Sequence, residues 1–258
     1  MRPAHAEPSR SCRRRTAGPA DHDLRGRCLH ERWRTSGAPE RVPHGHARDR
    51  CVGTIDRPLL VYLFDPYCPW SYGYLPALTH LLDAVRDEAD VEVVTIGLHD
   101  GTRIDQAPAP MRAVQRATGV GFGPGYRRAL AEGEMQLRSR DAAAAVIGMT
   151  AADPGRVPDV LWAVHRAFFW AGRSLSDGAT VAQTAQRLGL DGAAIEVFAS
   201  SPRAAQMAEE DFHLARDLGA RRGPTLLVSH GDRLCELEGP GTSGQHLVEQ
   251  FRGVLARP

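Results

Sequence analysis

Lysine is absent from the chain, all 32 basic residues being arginine, a coding bias that suggests a GC-rich genome and carries no chemistry. Long apolar runs are absent too: Leu59 to Phe64 falls far short of the ~20 residues that cross a bilayer, so no membrane partner is expected. No apolar stretch of ~7–15 residues follows the first arginines, which argues against a secretory signal and for a cytoplasmic protein. With a formal net charge of +1, the molecule lacks the field of a nucleic-acid binder. None of the five cysteines (Cys12, Cys28, Cys51, Cys68, Cys235) forms a C-x-x-C pair, and the 11 histidines never form H-x-x-x-H or H-E-x-x-H. Neither a disulfide scaffold nor a metal site is therefore expected.

What is present is a globular composition: 258 residues, 42% hydrophobic and 24% charged, enough for one large domain or two small ones. Charge is uneven along it. Residues 1–50 hold 12 arginines against 6 acidic residues, with much Pro, His, Ser and Gly and few large apolar side chains. Such a stretch buries too little to offset its own ordering entropy, so residues 1–56 read as a disordered Arg/Pro-rich tail, either a dispensable extension or a basic arm.

From Arg57 onward the periodicity speaks. Leu59–Phe64, ended by Asp65-Pro66, and Val91–Gly97 read as buried strands, with a helix over Tyr74–Ala89 between them and hence a parallel pair. The next hundred residues turn helical: 110–118, 125–133, 140–151, 157–172, 178–188, 191–199 and 202–218. Ser201-Pro202 has the form of an N-cap followed by a first-turn proline, and Gly189 and Gly219 stand where helices stop. Thr225–Ser229 and Arg233–Leu237 then form a hairpin around His230-Gly231-Asp232, and a helix over 243–255, capped by Ser243, closes the chain.

Three stretches now carry a resemblance. Phe64-Asp-Pro-Tyr-Cys-Pro-Trp-Ser-Tyr-Gly73 resembles the active-site loop of the DsbA family in its cytosolic FrnE-like branch, and is similar to kappa-class glutathione transferases and 2-hydroxychromene-2-carboxylate isomerases. Arg166-Ala-Phe-Phe-Trp-Ala-Gly-Arg173 is similar to a helix end of that family's helical domain, and Gly219-Ala-Arg-Arg-Gly-Pro-Thr225 to its cis-proline loop. The resemblance covers roughly residues 57–257. It implies an α/β thioredoxin-like fold with a helical-domain insertion between the β-α-β and β-β-α halves: residues 57–104 and 220–258 around an insert over 105–219.

Cys68, just after a strand and at a helix start, would face free N–H groups and the positive end of the helix dipole, which lowers a thiol pKa from ~8.5. It is the candidate nucleophile; the plainer alternative is a buried structural cysteine. At the fourth position, where dithiol relatives carry a second cysteine, stands Ser71, which cannot resolve a mixed disulfide but can donate a hydrogen bond to a thiolate; a local helix-start cap is the alternative. The resemblance makes Pro224 a cis-proline whose neighbours Gly223 and Thr225, together with Pro69 and Trp70, bind substrate. Tyr67 and Tyr72 either line the groove or pack. Arg221 and Arg222 could attract a carboxylate, while His99, His165 and His213 have no spacing that makes them bases.

The implied function is a DsbA-like thiol–disulfide oxidoreductase or isomerase of monothiol C-x-x-S type, forming mixed disulfides through Cys68. The alternatives are a glutathione-dependent transferase or isomerase of the kappa-class type, or a redox-inactive binding module. The expected partners are small thiols and protein thiols or disulfides, with glutathione or a similar thiol as co-substrate and no tightly bound cofactor. A homodimer is compatible with the resemblance.

Overall fold

The computed structural model describes residues 11–14, 57–220 and 222–256. Its centre is strand β2 (Leu59–Phe64), paired in parallel with β3 (Asp90–Thr95) and antiparallel with β6 (Thr225–His230). Successive side chains of a strand point to opposite faces. Accordingly Leu60, Tyr62 and Phe64 enter one core and Val61 and Leu63 the other. Unbroken apolarity is what a strand covered on both sides requires.

Helices supply the two covers. On the first face lie α1 (Pro69–Ala84) and, across the chain end, α9 (Gly244–Leu255). The insert opens with α2 (Met111–Thr118) and α3 (Pro124–Glu132). It continues through α4 (Ser139–Ala152), α5 (Val157–Phe169), α6 (Gly178–Arg187) and α7 (Gly192–Ala199) to α8 (Pro202–Asp217). The far end of α8 covers the second face: Ala215 and Leu218 pack beneath Val61, Leu63 and Val94, and buried Asp211 accepts both the N–H and the hydroxyl of Thr95 at 3.2 Å. The caps at Ser201 and Ser243 form as expected, each hydroxyl accepting an N–H at 3.1 Å.

Four expectations need correction. Helix α1 starts at Pro69 and ends at Ala84, not over 74–89, because a proline costs nothing at the first helical position, where its missing N–H has no partner to bond. The insert is not all helical: β4 (Asp100–Arg103) pairs antiparallel with β5 (Gln136–Arg138). Within the tail read as disordered, β1 (Ser11–Arg14) pairs antiparallel with β7 (Arg233–Glu236), completing a sheet of order β1-β7-β6-β2-β3. The backbone hydrogen bonds of an edge strand need no apolar side chains, so composition did not show it; the rest of that tail lies outside the described residues. Finally Cys235, opposite Cys12 in the strand register, is disulfide-bonded, although the odd count and spacing argued against disulfides.

Gly172, just past α5, has φ +67°, and a Cβ there would lie 2.2 Å from the Gly125 carbonyl oxygen. Gly172→Ala should therefore lower unfolding stability in urea by about 2–4 kcal/mol. Gly253→Ala, in helix α9 with nothing within 4 Å, should be neutral or stabilising by up to ~1 kcal/mol.

Candidate active site

The site lies where β2 ends. Asp65 and Pro66 turn the chain, the Cys68 N–H donates to the Asp65 carbonyl at 3.0 Å, and Cys68 takes the N-cap position of α1 in an extended conformation. Its side chain is only 5% exposed. The thiol donates to the Gly223 carbonyl at 3.6 Å, and the Gly223–Pro224 bond is cis. Two loops distant in sequence thus meet at one sulfur.

Ser71, one turn into α1, is fully buried, and its Oγ has no hydrogen-bond partner. It lies on the sulfur's side, where its hydroxyl favours a Cys68 thiolate, as do the N–H groups of Ser71 and Trp70. Burial outweighs all three and pushes the Cys68 thiol up from its ordinary value, helped by the nearby Asp65 carboxylate. The expectation of a thiol acidified by the helix start is corrected: withdrawing the sulfur from water penalises its charged form more than the local donors favour it.

Gly223 permits the meeting. A Cβ at that position would lie 2.8 Å from Ile96 Cδ1 and 3.4 Å from Ser71 Oγ, so a larger residue would have to push the end of the Ile96 side chain aside. Thr225 opens β6, its hydroxyl reaching the Arg222 carbonyl at 3.5 Å. Pro69 is buried and Trp70 half-buried. Arg222 is exposed, and Arg221 lies outside the described residues.

The two tyrosines pack inward. Tyr67 stands edge-on to Phe168 with ring centres 4.7 Å apart, and its hydroxyl accepts the Leu175 N–H at 3.1 Å. Tyr72 stacks on Phe169 at 5.0 Å and donates to the Gly121 carbonyl at 3.3 Å. Both fasten the loop and α1 to the helical insert. His165 is a core residue whose Nδ1 meets the Leu161 carbonyl at 2.8 Å, while Nε2 has no hydrogen-bond partner. Burial lowers its pKa to about 4, against opposing contributions from the Leu161 and Asp65 carbonyls. His213 meets Arg216 at 2.8 Å. The backbone of His99 exchanges hydrogen bonds with Ser139, and burial lowers the pKa of its side chain.

Sequence reasoning passed over Asp65, treating it only as a strand-ending residue. It is fully buried; Oδ1 accepts the Tyr67 N–H and Oδ2 the Leu98 N–H, both at 2.8 Å. The available signal was an acidic residue directly after an apolar run, three positions before the cysteine. Among the described residues no cluster suited to a metal ion occurs, and no helix is long and apolar enough to cross a membrane.

A strand leading into a cysteine-capped helix, facing a cis-proline loop and interrupted by a helical insert, defines a thioredoxin-fold thiol protein. Residues 60–253 match the DSBA-like thioredoxin domain, and the chain belongs to that family. Among solved structures it is similar to the cytosolic disulfide reductase DsbM of Pseudomonas aeruginosa, with 25% identity over 76% of this chain and 96% of that one and a TM-score of 0.63. The same reductase has been solved with GSH, at a TM-score of 0.59, 25% identity and the same coverage. A candidate protein disulfide isomerase from Nitrosomonas europaea superposes at 0.66, with 20% identity over 78% of this chain and 98% of that one. No curated protein matches the chain.

Two pH effects follow. The alkylation rate of Cys68 in the resting protein should rise with pH to a midpoint above that of a free cysteine, because burial raises its pKa; rates with iodoacetamide on Cys68 and on an unfolded control test this. His165 is neutral when folded and free to protonate when unfolded, so stability should fall as pH drops from ~6.5 toward the folded value of about 4. His165→Phe should flatten denaturation midpoints across that window.

Proposed function

We propose that the protein is a monothiol disulfide-exchange enzyme of the DsbA-like family, working through Cys68 with glutathione or another small thiol as co-substrate. The observation carrying this reading is the placement of the Cys68 sulfur, bonded to the Gly223 carbonyl beside the buried, unpartnered hydroxyl of Ser71. The hydroxyl has unused capacity to donate to a sulfur anion, which forms and reforms in exchange.

The exchange balances without a second cysteine. Cys68 loses its proton to solvent, and its thiolate attacks a disulfide R–S–S–R′, forming Cys68–S–S–R as R′–S⁻ leaves. A second thiolate, R″–S⁻, then attacks the R sulfur, giving R–S–S–R″ and returning the Cys68 thiolate. An extended substrate would pair with the backbone of Gly223, which lies beside the sulfur. The carbonyl has two lone pairs, so it can receive the substrate while still meeting Cys68. Because the resting thiol is held protonated, the wild type would be a slow reagent at neutral pH.

A second reading takes Ser71 as the group that steadies the thiolate of a bound small thiol, as in a transferase or isomerase, and the same unused hydroxyl favours it. A cytosolic setting belongs to the first reading and is supported by the description of the Pseudomonas reductase. The disulfide at Cys235 points instead to an oxidising setting.

Glutathione disulfide should leave one glutathionyl adduct on Cys68, seen in the intact mass, lost in Cys68→Ser, and released only when an external thiol is added. Ser71→Cys should form an internal disulfide between Cys68 and the introduced thiol, release the adduct unaided, and reduce insulin faster than the parent. No adduct at any pH and no gain in Ser71→Cys would overturn the exchange reading; thermal stabilisation by reduced glutathione without an adduct would favour the transferase type.

A further inference from the structure

We propose that Asp65 is the positioning residue of this site: its carboxylate, clamped by two backbone N–H groups, fixes the aim of Cys68 and sets a negative charge beside the sulfur. The inference rests on the reading of Cys68 as the reacting group and concerns how that group is kept in reserve.

The geometry comes first. Three backbone segments meet around Asp65: the turn after β2, the connection from β3 to β4, and the cis-proline loop. One carboxylate oxygen takes the Tyr67 N–H and the other takes the Leu98 N–H, each at 2.8 Å. The Asp65 carbonyl accepts the N–H of Cys68 itself at 3.0 Å, and its backbone nitrogen lies 3.7 Å from where a Cβ on Gly223 would stand. A residue clamped by both carboxylate oxygens leaves the following three little freedom, so the direction in which Cys68 presents its sulfur is set at Asp65.

The electrostatics add to this. Asp65 is fully buried, and two backbone N–H donors supply the hydrogen bonding that an ionised carboxylate accepts. No arginine or histidine among the described residues forms an ion pair with it. The titratable groups that face it are Tyr67 and Cys68 on its own turn, His99 on the β3–β4 connection and His165 on α5. Tyr67 and Cys68 are both made harder to ionise by it, and His99 easier to protonate. An unpaired buried anion opposes a second anion nearby, since burial leaves the repulsion poorly screened. Replacing the Asp65 carboxylate by a neutral side chain therefore lets Cys68 release its proton more readily.

The test reads Cys68 ionisation in the full-length protein, by the ultraviolet absorbance of the thiolate and by alkylation rate against pH. In Asp65→Asn and Asp65→Ala alike the midpoint should fall by a similar amount, and alkylation at pH 7 should quicken at least about threefold, the factor that half a pKa unit gives. The positioning role appears separately, as a lower melting temperature in Asp65→Ala, which loses both hydrogen bonds, than in Asp65→Asn, which keeps one. His99→Arg, which brings a permanent cation toward the same carboxylate and leaves its hydrogen bonds alone, should also lower the midpoint and tests the idea if the Asp65 variants do not fold. A midpoint unchanged in Asp65→Asn but lowered in Asp65→Ala would mean that loosening, not charge, acts on the sulfur, and would overturn the proposal. So would a midpoint unmoved in all three variants. If the midpoints fall while glutathione disulfide leaves no adduct on the parent, the role of Asp65 stands and the exchange reading fails.

Discussion

Strand β2 has no face turned to water, and most of the molecule answers that fact. A six-residue strand with alternate side chains in two separate cores needs one cover on each side. The sheet helices α1 and α9 supply the first, and the insert's last helix supplies the second by running back under the sheet to Ala215 and Leu218. The insert is thereby part of the strand's burial. Asp211, bonded to Thr95, fixes where α8 crosses, in a layer whose other contacts are mostly apolar and undirected.

The same burial shapes the chemistry. Residues that follow a doubly covered strand emerge into an interior, so the first polar group after Phe64 is sealed in, and so is the cysteine three positions on. Aromatic anchors reinforce this: Tyr67 and Tyr72 tie the turn and the first helix to the α5–α6 and α2–α3 connections. The positive end of a helix and a tight apolar wrapping act on a sulfur in opposite directions, and here the wrapping prevails. Reactivity in this architecture is governed less by the helix than by what the loop admits.

The legible parts of the sequence were those where a single physical pattern spans several residues. Apolar runs marked β2 and β6, a serine cap with a following proline marked the start of α8, and the Cys-Pro-Trp-Ser stretch beside a later Gly-Pro marked both loops of the site. The illegible parts depended on partners far along the chain. Strands β4 and β5 are four and three residues long and mostly polar, so neither has a period to read. β1 lies among arginines and is defined only by the edge it meets. Asp65 reads locally as a turn residue, because its function depends on the Leu98 N–H, 33 positions away. The ionisation of Cys68 was misjudged because sequence position reveals the helix start but not the depth of burial.

The placement of β1 has a consequence for self-association. An open sheet has two edges whose unpaired backbone groups invite another strand, and proteins guard them with pairing or charge. Here the two edges are β1, which pairs with β7 and has Arg13 and Arg14 in its sequence, and β3, which begins with Asp90, already paired with Arg57, and carries Glu92 two residues on. With both margins carrying charge, an extended peptide bound as proposed would find its main-chain partner at Gly223, away from either margin and beside the sulfur. Guarding against aggregation and selecting where such a peptide docks would then be one property of the sheet.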